Sequence, residues 1–310
     1  LVASIAVDHY AVQVEALVGG CPFVANESGE LARIIELLSG INGFLPGVTI
    51  TVRARCQIQR FRKAVSGQRL DHFHRDSNGF LATKISFINE IAKLSEALGA
   101  DVETVARGMG LDKRIGPMFL HPGPGFGGSC FPKDARAVAQ IARDKGKTFE
   151  IMESVLEVNE QTKKRMVDKI GQAFGDLGGQ TVAVLGLSFK PDTDDIRESP
   201  ALEIIDGLLA QGAKVRAFDP AAMDECRPLW PQVQFCETAY EAAKDADGLA
   251  ILTEWNQFRA LDLSRLHGLL KRPLIVDLRN IYDPVKMGAA GFEYISLGRP
   301  PVGLSEAVTA

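Results

Sequence analysis

The chain has 310 residues, 46% hydrophobic and 24% charged, with a formal net charge of -4. These values exclude a global attraction to nucleic acid or anionic membranes and suit a globular protein long enough for two compact units. No apolar run reaches the roughly 18 residues of a membrane span, and the start lacks a basic segment followed by an apolar signal core.

Residues 1–76 contain Val18-Gly19-Gly20 and Gly40-Ile41-Asn42-Gly43 but no GxGxxG between a strand and a helix. Between Thr51 and Arg75 the cations Arg53, Arg55, Arg60, Arg62, Lys63, Arg69 and Arg75 face only Asp71 as an acid, a pattern that suits an anion or nucleic-acid patch. The first residue is Leu rather than Met, so the start of the chain need not be the start of translation. From Asn78 to Leu98, Leu81, Ile85, Ile88, Ile91, Leu94 and Leu98 recur at helical spacing and predict an amphipathic helix. Gly99-Ala100-Asp101 ends it, and Asp101 can cap a short helix running through Val105 to about Gly108. An irregular Gly- and Pro-containing loop follows, and helical character resumes from Lys133 to Ala142. Phe149 to Ile170 reads as a helix of about 20 residues, roughly 30 Å, long enough to bridge two domains or line a dimer interface, or else to lie along a surface.

After Gly178-Gly179 short apolar runs alternate with helices. Thr181–Leu187, Lys214–Phe218, Gly248–Thr253 and Pro273–Leu278 are predicted strands, Phe292–Ile295 a fifth, and Pro200–Leu209 and Tyr240–Lys244 helices. Alternation of this kind specifies a parallel sheet covered by helices, with ligands outside the carboxyl ends of the strands. The fold class is therefore α/β, with a Rossmann-like carboxyl-terminal sheet, a central helical region and an atypical or truncated amino-terminal segment.

The chemistry concentrates in Gly125-Phe126-Gly127-Gly128-Ser129-Cys130-Phe131-Pro132-Lys133-Asp134. Glycines let the backbone approach a ligand, a neighbouring cation favours thiolate over thiol, and Asp134 can position water near whatever the sulfur carries. Cys21, Cys56, Cys130, Cys226 and Cys236 are odd in number and lack CxxC spacing, so neither a disulfide framework nor a zinc site is expected and a reducing cytoplasm fits. Beyond the first strand of the sheet, Lys190 and Arg197 lie in a loop leading to the helix at Pro200. They either contact phosphate there or pair with Asp192, Asp194, Asp195 or Glu198. Arg279 follows the strand ending at Asp277 and should emerge on the same edge as Lys190, an arrangement that suits a diphosphate. Gly186 is too isolated for a nucleotide fingerprint of its own.

These segments resemble the UDP-glucose 6-dehydrogenase family, within the dehydrogenases that oxidise UDP-glucose or GDP-mannose. The resemblance rests on Asn78-Gly79-Phe80-Leu81-Ala82-Thr83-Lys84-Ile85-Ser86-Phe87-Ile88-Asn89-Glu90, Arg114-Ile115-Gly116, the Cys130 loop and Val158-Asn159-Glu160. It continues through Phe189-Lys190, Asp194-Asp195-Ile196-Arg197-Glu198-Ser199-Pro200 and Thr253-Glu254-Trp255. It covers about residues 78 to 300, and Phe131-Pro132 looks more like the UDP-glucose branch.

The resemblance implies an NAD-dependent, two-step oxidation of UDP-glucose to UDP-glucuronate through a thiohemiacetal and a thioester on Cys130. Asp134 is implied to activate the hydrolytic water and Asn78 to support the oxyanion. Phe119, Leu120 and Gly127 are implied to contact substrate, Arg114 to be donated across a homodimer built on the long helix, and Lys190 and Arg279 to hold UDP-glucose. Lys133 and Arg197 are implied to face NAD, with Lys133 alternatively lowering the acidity barrier at Cys130. No nucleic-acid or membrane partner is expected. The resemblance divides the chain into 1–77, an atypical remnant or replacement of the family's NAD-binding domain, 78–175, a central helical domain, and 176–310, a UDP-sugar-binding domain. His74 stands where the family has a catalytic lysine, four residues before Asn78, and is expected to be a loop imidazole. A frame error, truncation or fusion would each explain the abrupt loss of resemblance near residue 77. The alternatives are a nucleotide-sugar-binding or dimerisation module without hydride transfer, and a dehydrogenase of another nucleotide sugar.

Overall fold

The computed structural model describes residues 13–18, 21–25, 52–55 and 68–303, with side chains described from residue 74 onward. Two compact units divide between Asp71 and His72. In the first, β1 (Gln13–Val18), β2 (Cys21–Ala25) and β3 (Val52–Arg55) form an antiparallel sheet in the order β2-β1-β3. Gly19-Gly20, the Gly40 segment and the side chains of the basic stretch before His74 lie outside the described residues, as do those of Cys21 and Cys56.

Helix α1 runs Gln68–Leu98, ten residues further toward the amino end than the apolar spacing predicts. Nothing between Gln68 and Asn78 breaks a helix, and adding turns to an existing helix needs no new nucleus. His74 is therefore an exposed helical residue one turn before Asn78, which corrects its expected place in a loop. Helix α2 (Val102–Gly110) is capped by Asp101, whose carboxylate accepts from the Glu103 amide. Helices α3 (Phe131–Asp144) and α4 (Glu150–Phe174) follow. Ala82, Phe126, Ala135, Ala139, Met152 and Val155 form one small core among these helices, and Ile88, Ala92, Val102, Ala106 and Leu120 another.

The remainder is a six-stranded parallel sheet ordered β6-β5-β4-β7-β8-β9, made of β4 (Thr181–Leu185), β5 (Lys214–Phe218), β6 (Gln234–Phe235), β7 (Gly248–Ile251), β8 (Leu274–Asp277) and β9 (Glu293–Ser296). Helix α5 (Pro200–Ala210) packs with α4 on one face, where Met166, Ile170, Ile204, Ile205 and Leu208 meet Val182 and Val184. Helix α6 (Met223–Cys226) joins that core through Cys226, and the other face carries α7 (Ala239–Ala243), α8 (Asn256–Arg259), α9 (Leu263–Leu269) and α10 (Pro284–Ala289), with Phe258, Leu266, Met287 and Phe292 against Leu185, Leu249 and Ile251. Residues 182–185 and 248–251 are all buried, as a strand covered on both faces must be, which is why these runs read as continuously apolar. The chain moves outward from β4 to β6 and returns to β7, so the loops after β4 and β7 diverge and leave a crevice at the carboxyl edge. Among the described residues no helix is long and apolar enough to cross a membrane.

Candidate functional site

Cys130 occupies the cap position of α3, exposed and unoxidised, and Pro132 supplies the preset φ that opens a helix. Asp134 lies in the first turn, 5% exposed, with its amide 2.9 Å from the Cys130 carbonyl. Asn78 Nδ2 donates to Asp134 Oδ2 at 2.6 Å. Lys133 Nζ stands 2.8 Å from Asp134 Oδ1, a buried oxygen whose charge it faces. One carboxylate thus joins α1 to the thiol's helix.

The loop before Cys130 is held by two helical amides. Asn89 Oδ1 accepts from the Gly123 amide at 2.9 Å. Asn159 spans Phe126, accepting from its amide at 2.8 Å and donating to its carbonyl at 3.1 Å. Gly125 has φ +118 and sits so close that an added Cβ would lie 3.0 Å from Asn159 Oδ1. Phe119, itself at φ +64, and Phe126 both meet the Phe131 ring edge-on, with centroids 6.0 and 6.2 Å apart.

The sheet edge meets this loop directly. A Cβ on Gly128 would lie 2.6 Å from the Phe189 ring, and one on Gly123 3.0 Å from an Arg279 guanidinium nitrogen. Arg279 Nε donates to the Leu252 carbonyl at 2.8 Å and faces Glu254 at 3.0 Å, while its other nitrogen lies 3.4 Å from the Phe189 carbonyl. Lys190 lies 5.6 Å from the Phe189 ring centroid. The loops after β4, β7 and β8 therefore converge where the topology leaves its crevice, and the cysteine loop closes against them.

Two buried carboxylates set those loops. Asp219, after β5, accepts from the Leu187 and Ser188 amides, the Ser188 hydroxyl and Trp255 Nε1 on one oxygen, and from the Ala221 and Ala222 amides on the other. Asp277 accepts from the Arg279, Ile281 and Tyr282 amides and the Tyr294 hydroxyl. Complete burial pushes the Asp277 carboxyl up, and the bonds from Tyr294 and the backbone and the charge of Arg299 oppose that shift.

Arg197 forks onto Asp195 at 2.9 and 2.7 Å. The pairing realises the ion-pair alternative for this cation, holding the Asp195 carboxyl below the usual range and raising Arg197. Asp195 dominates the Arg197 shift, with a smaller contribution from the neighbouring Cys130. Lys133 and Arg197 are both largely exposed, at 68% and 69% for their side chains. Exposed cations at these two positions suit an anionic ligand.

Of the expected site residues, Cys130, Asp134, Asn78, Lys133 and Gly127 are brought together, with Arg197 beside them and Lys190 and Arg279 on the adjoining edge. Arg114 stands apart on an exposed loop, its guanidinium bound to Asp112 at 2.6 Å. The Leu120 side chain is a core residue at 2% exposure. Sequence reasoning missed Asn89, Asn159, Asp219 and Asp277 as organisers. The available signal was a polar residue in each helix's apolar stripe and an acid at or just past the end of an apolar strand.

Comparison with known proteins identifies two segments. Residues 75–161 match the central domain of the UDP-glucose/GDP-mannose dehydrogenase family, and residues 183–284 its UDP binding domain. A UDP-glucose 6-dehydrogenase from Rhizobium meliloti (strain 1021) is 51% identical over 224 residues, covering 72% of this chain and 51% of that protein. A UDP-glucose dehydrogenase structure from the hyperthermophilic archaeon Pyrobaculum islandicum superposes with a TM-score of 0.68 at 34% identity, over 81% of this chain and 59% of that one. An NDP-N-acetyl-D-galactosaminuronic acid dehydrogenase from Methanosarcina mazei Go1 gives 0.66 at 26% identity, over 74% and 50%. The chain spans about half the length of the curated relatives it matches.

Proposed function

Because the chain belongs to the UDP-glucose/GDP-mannose dehydrogenase family, we propose that it is the thiol- and nucleotide-sugar-binding part of an enzyme that oxidises UDP-glucose to UDP-glucuronate. The observation that carries this reading is the exposed Cys130 beside a buried Asp134 bonded to Asn78, on a loop packed against the Arg279 edge. Lys190 and Arg279 bind the diphosphate of the substrate, the second as a rigid fork. NAD, held in part by Lys133 and Arg197, accepts hydride when bound.

Cys130 attacks the C6 aldehyde formed by the first oxidation. The sulfur–carbon bond closes as the carbonyl oxygen takes up a proton, giving a thiohemiacetal, and the second oxidation converts it to a thioester. Asn78 donates toward the oxygen that gains charge. Asp134, its Oδ1 beside Lys133 Nζ at 2.8 Å, takes a proton from the water that cleaves the thioester and returns the thiol. Arg114, exposed on its own subunit, is supplied to the sugar site of a second copy in a homodimer.

Incubation with UDP-glucose and NAD should yield NADH and UDP-glucuronate, and Cys130→Ala should remove turnover. An unchanged rate in that variant would reject the covalent role. The match to a UDP binding domain also suits a second reading, a nucleotide-sugar-binding module that performs no hydride transfer. Calorimetry separates the two, since binding of UDP-glucose without NAD selects the module.

A further inference from the structure

Residues 197–199 form a strap between the end of β4 and α5, and each makes a different attachment. The Arg197 carbonyl accepts from the Gly128 amide at 2.8 Å. The Glu198 carbonyl lies so close to Gly127 that an added Cβ would be 2.2 Å away. Ser199 Oγ donates to the Leu187 carbonyl at 2.8 Å and caps α5. Between the two backbone attachments and the cap, the Glu198 side chain reaches across to α3, where both its oxygens accept from the Arg136 guanidinium.

We propose that Glu198 is a positioning residue: its bidentate pair with Arg136 ties the helix that begins at the thiol to the strap and fixes where Cys130 stands relative to Arg197. Glu198 adopts φ +54, a left-handed conformation that a side chain with a Cβ resists. Glycine would be more comfortable there, so the carboxylate is the property that the position uses. The fork suits the task because two parallel bonds fix angle as well as distance. The pair is 51% and 40% exposed, and a pair so open to water adds little to stability. Its visible consequence is geometric: α3 carries Cys130 and Lys133, the strap carries Arg197, and the pair sets the gap between them.

The inference rests on the reading of Cys130 as the reacting thiol, and its test separates the two. Arg136→Met and Glu198→Gly, the latter keeping the left-handed backbone accessible, are compared with the parent and with the reversed pair Arg136→Glu/Glu198→Arg. Three quantities are read: the iodoacetamide alkylation rate of Cys130 by peptide mapping, the UDP-glucose affinity by calorimetry, and the melting midpoint. Both single variants should melt close to the parent and alkylate Cys130 about threefold or more slowly, because the first turn of α3, and with it the sulfur, is no longer held in one place against the strap. UDP-glucose affinity should stay within about twofold, since Lys190 and Arg279 are anchored on other contacts. The reversed pair should recover most of the rate. Parental alkylation in both single variants overturns the inference, as does an equal fall in alkylation and UDP-glucose affinity, which marks general loosening. A parent chain that fails to bind UDP-glucose rejects the proposed function instead and leaves the alkylation comparison standing.

Discussion

The sheet edge and the cysteine loop are organised by opposite means. At the edge, the loops after β4, β5, β7 and β8 hang on Asp219 and Asp277, two buried carboxylates saturated with backbone and side-chain donors. Around Cys130, neutral amides on α1 and α4 hold the backbone from outside, and the side chains of Cys130, Lys133 and Arg197 stay exposed. Burying a charge demands that all its acceptor capacity be met, which makes the edge rigid. A loop pinned at a few amides leaves those side chains accessible.

Breaking the edge should have the largest effect. Asp219→Ala strands the Leu187, Ser188, Ala221 and Ala222 amides and Trp255 Nε1. A loss of about 4 kcal/mol or more in a urea titration is expected, with UDP-glucose binding abolished. Asn159→Ala frees both polar groups of Phe126 and should cost about 2–3 kcal/mol. Hydrogen exchange should then rise in 123–130 while the sheet stays protected, and equal deprotection of both would deny that the loop is held separately. Arg279→Lys replaces a fork by a point charge and should weaken UDP-glucose about tenfold by calorimetry, leaving Cys130 alkylation unchanged.

A smaller, pH-dependent effect belongs to the sheet side alone. Burial pushes the Cys226 thiol up to about 12, aided by Asp219 and Glu225. An acid whose folded value is raised loses its proton first in the unfolded chain, so stability is whole below the ordinary thiol value near 9 and declines as pH rises from there toward 12. Tyr282 and Tyr294, also raised by burial, add to the decline at its upper end. Cys226→Ala should flatten the alkaline slope of a stability–pH series, whatever its effect at neutral pH, and an unchanged slope would remove Cys226 from this account.

Much of this architecture was legible from pattern. Lys214–Phe218 is a strand with the predicted bounds, and the other predicted strands of the sheet agree to within one or two residues at each end. Their apolar runs reflect burial on two faces, a property each segment shows by itself. The two-residue strand Gln234–Phe235 went unseen, being too short and too close to the edge to leave a pattern. The early turns of α1 were missed because helix continuation needs only the absence of a breaker, whereas the apolar stripe begins at Leu81.

The site divides along the same line. Residue types and their order marked the Cys130 loop, Lys190, Arg197 and Arg279 as chemically important, because glycine runs, thiols and strand-end cations are local features with local meanings. The fold decided which groups meet: Asn78 with Asp134 across 56 positions, Asn159 with Phe126 across 33, and Arg136 with Glu198 across 62. Such meetings depend on how helices and strands pack, and the one-dimensional order of residues carries no direct record of that packing.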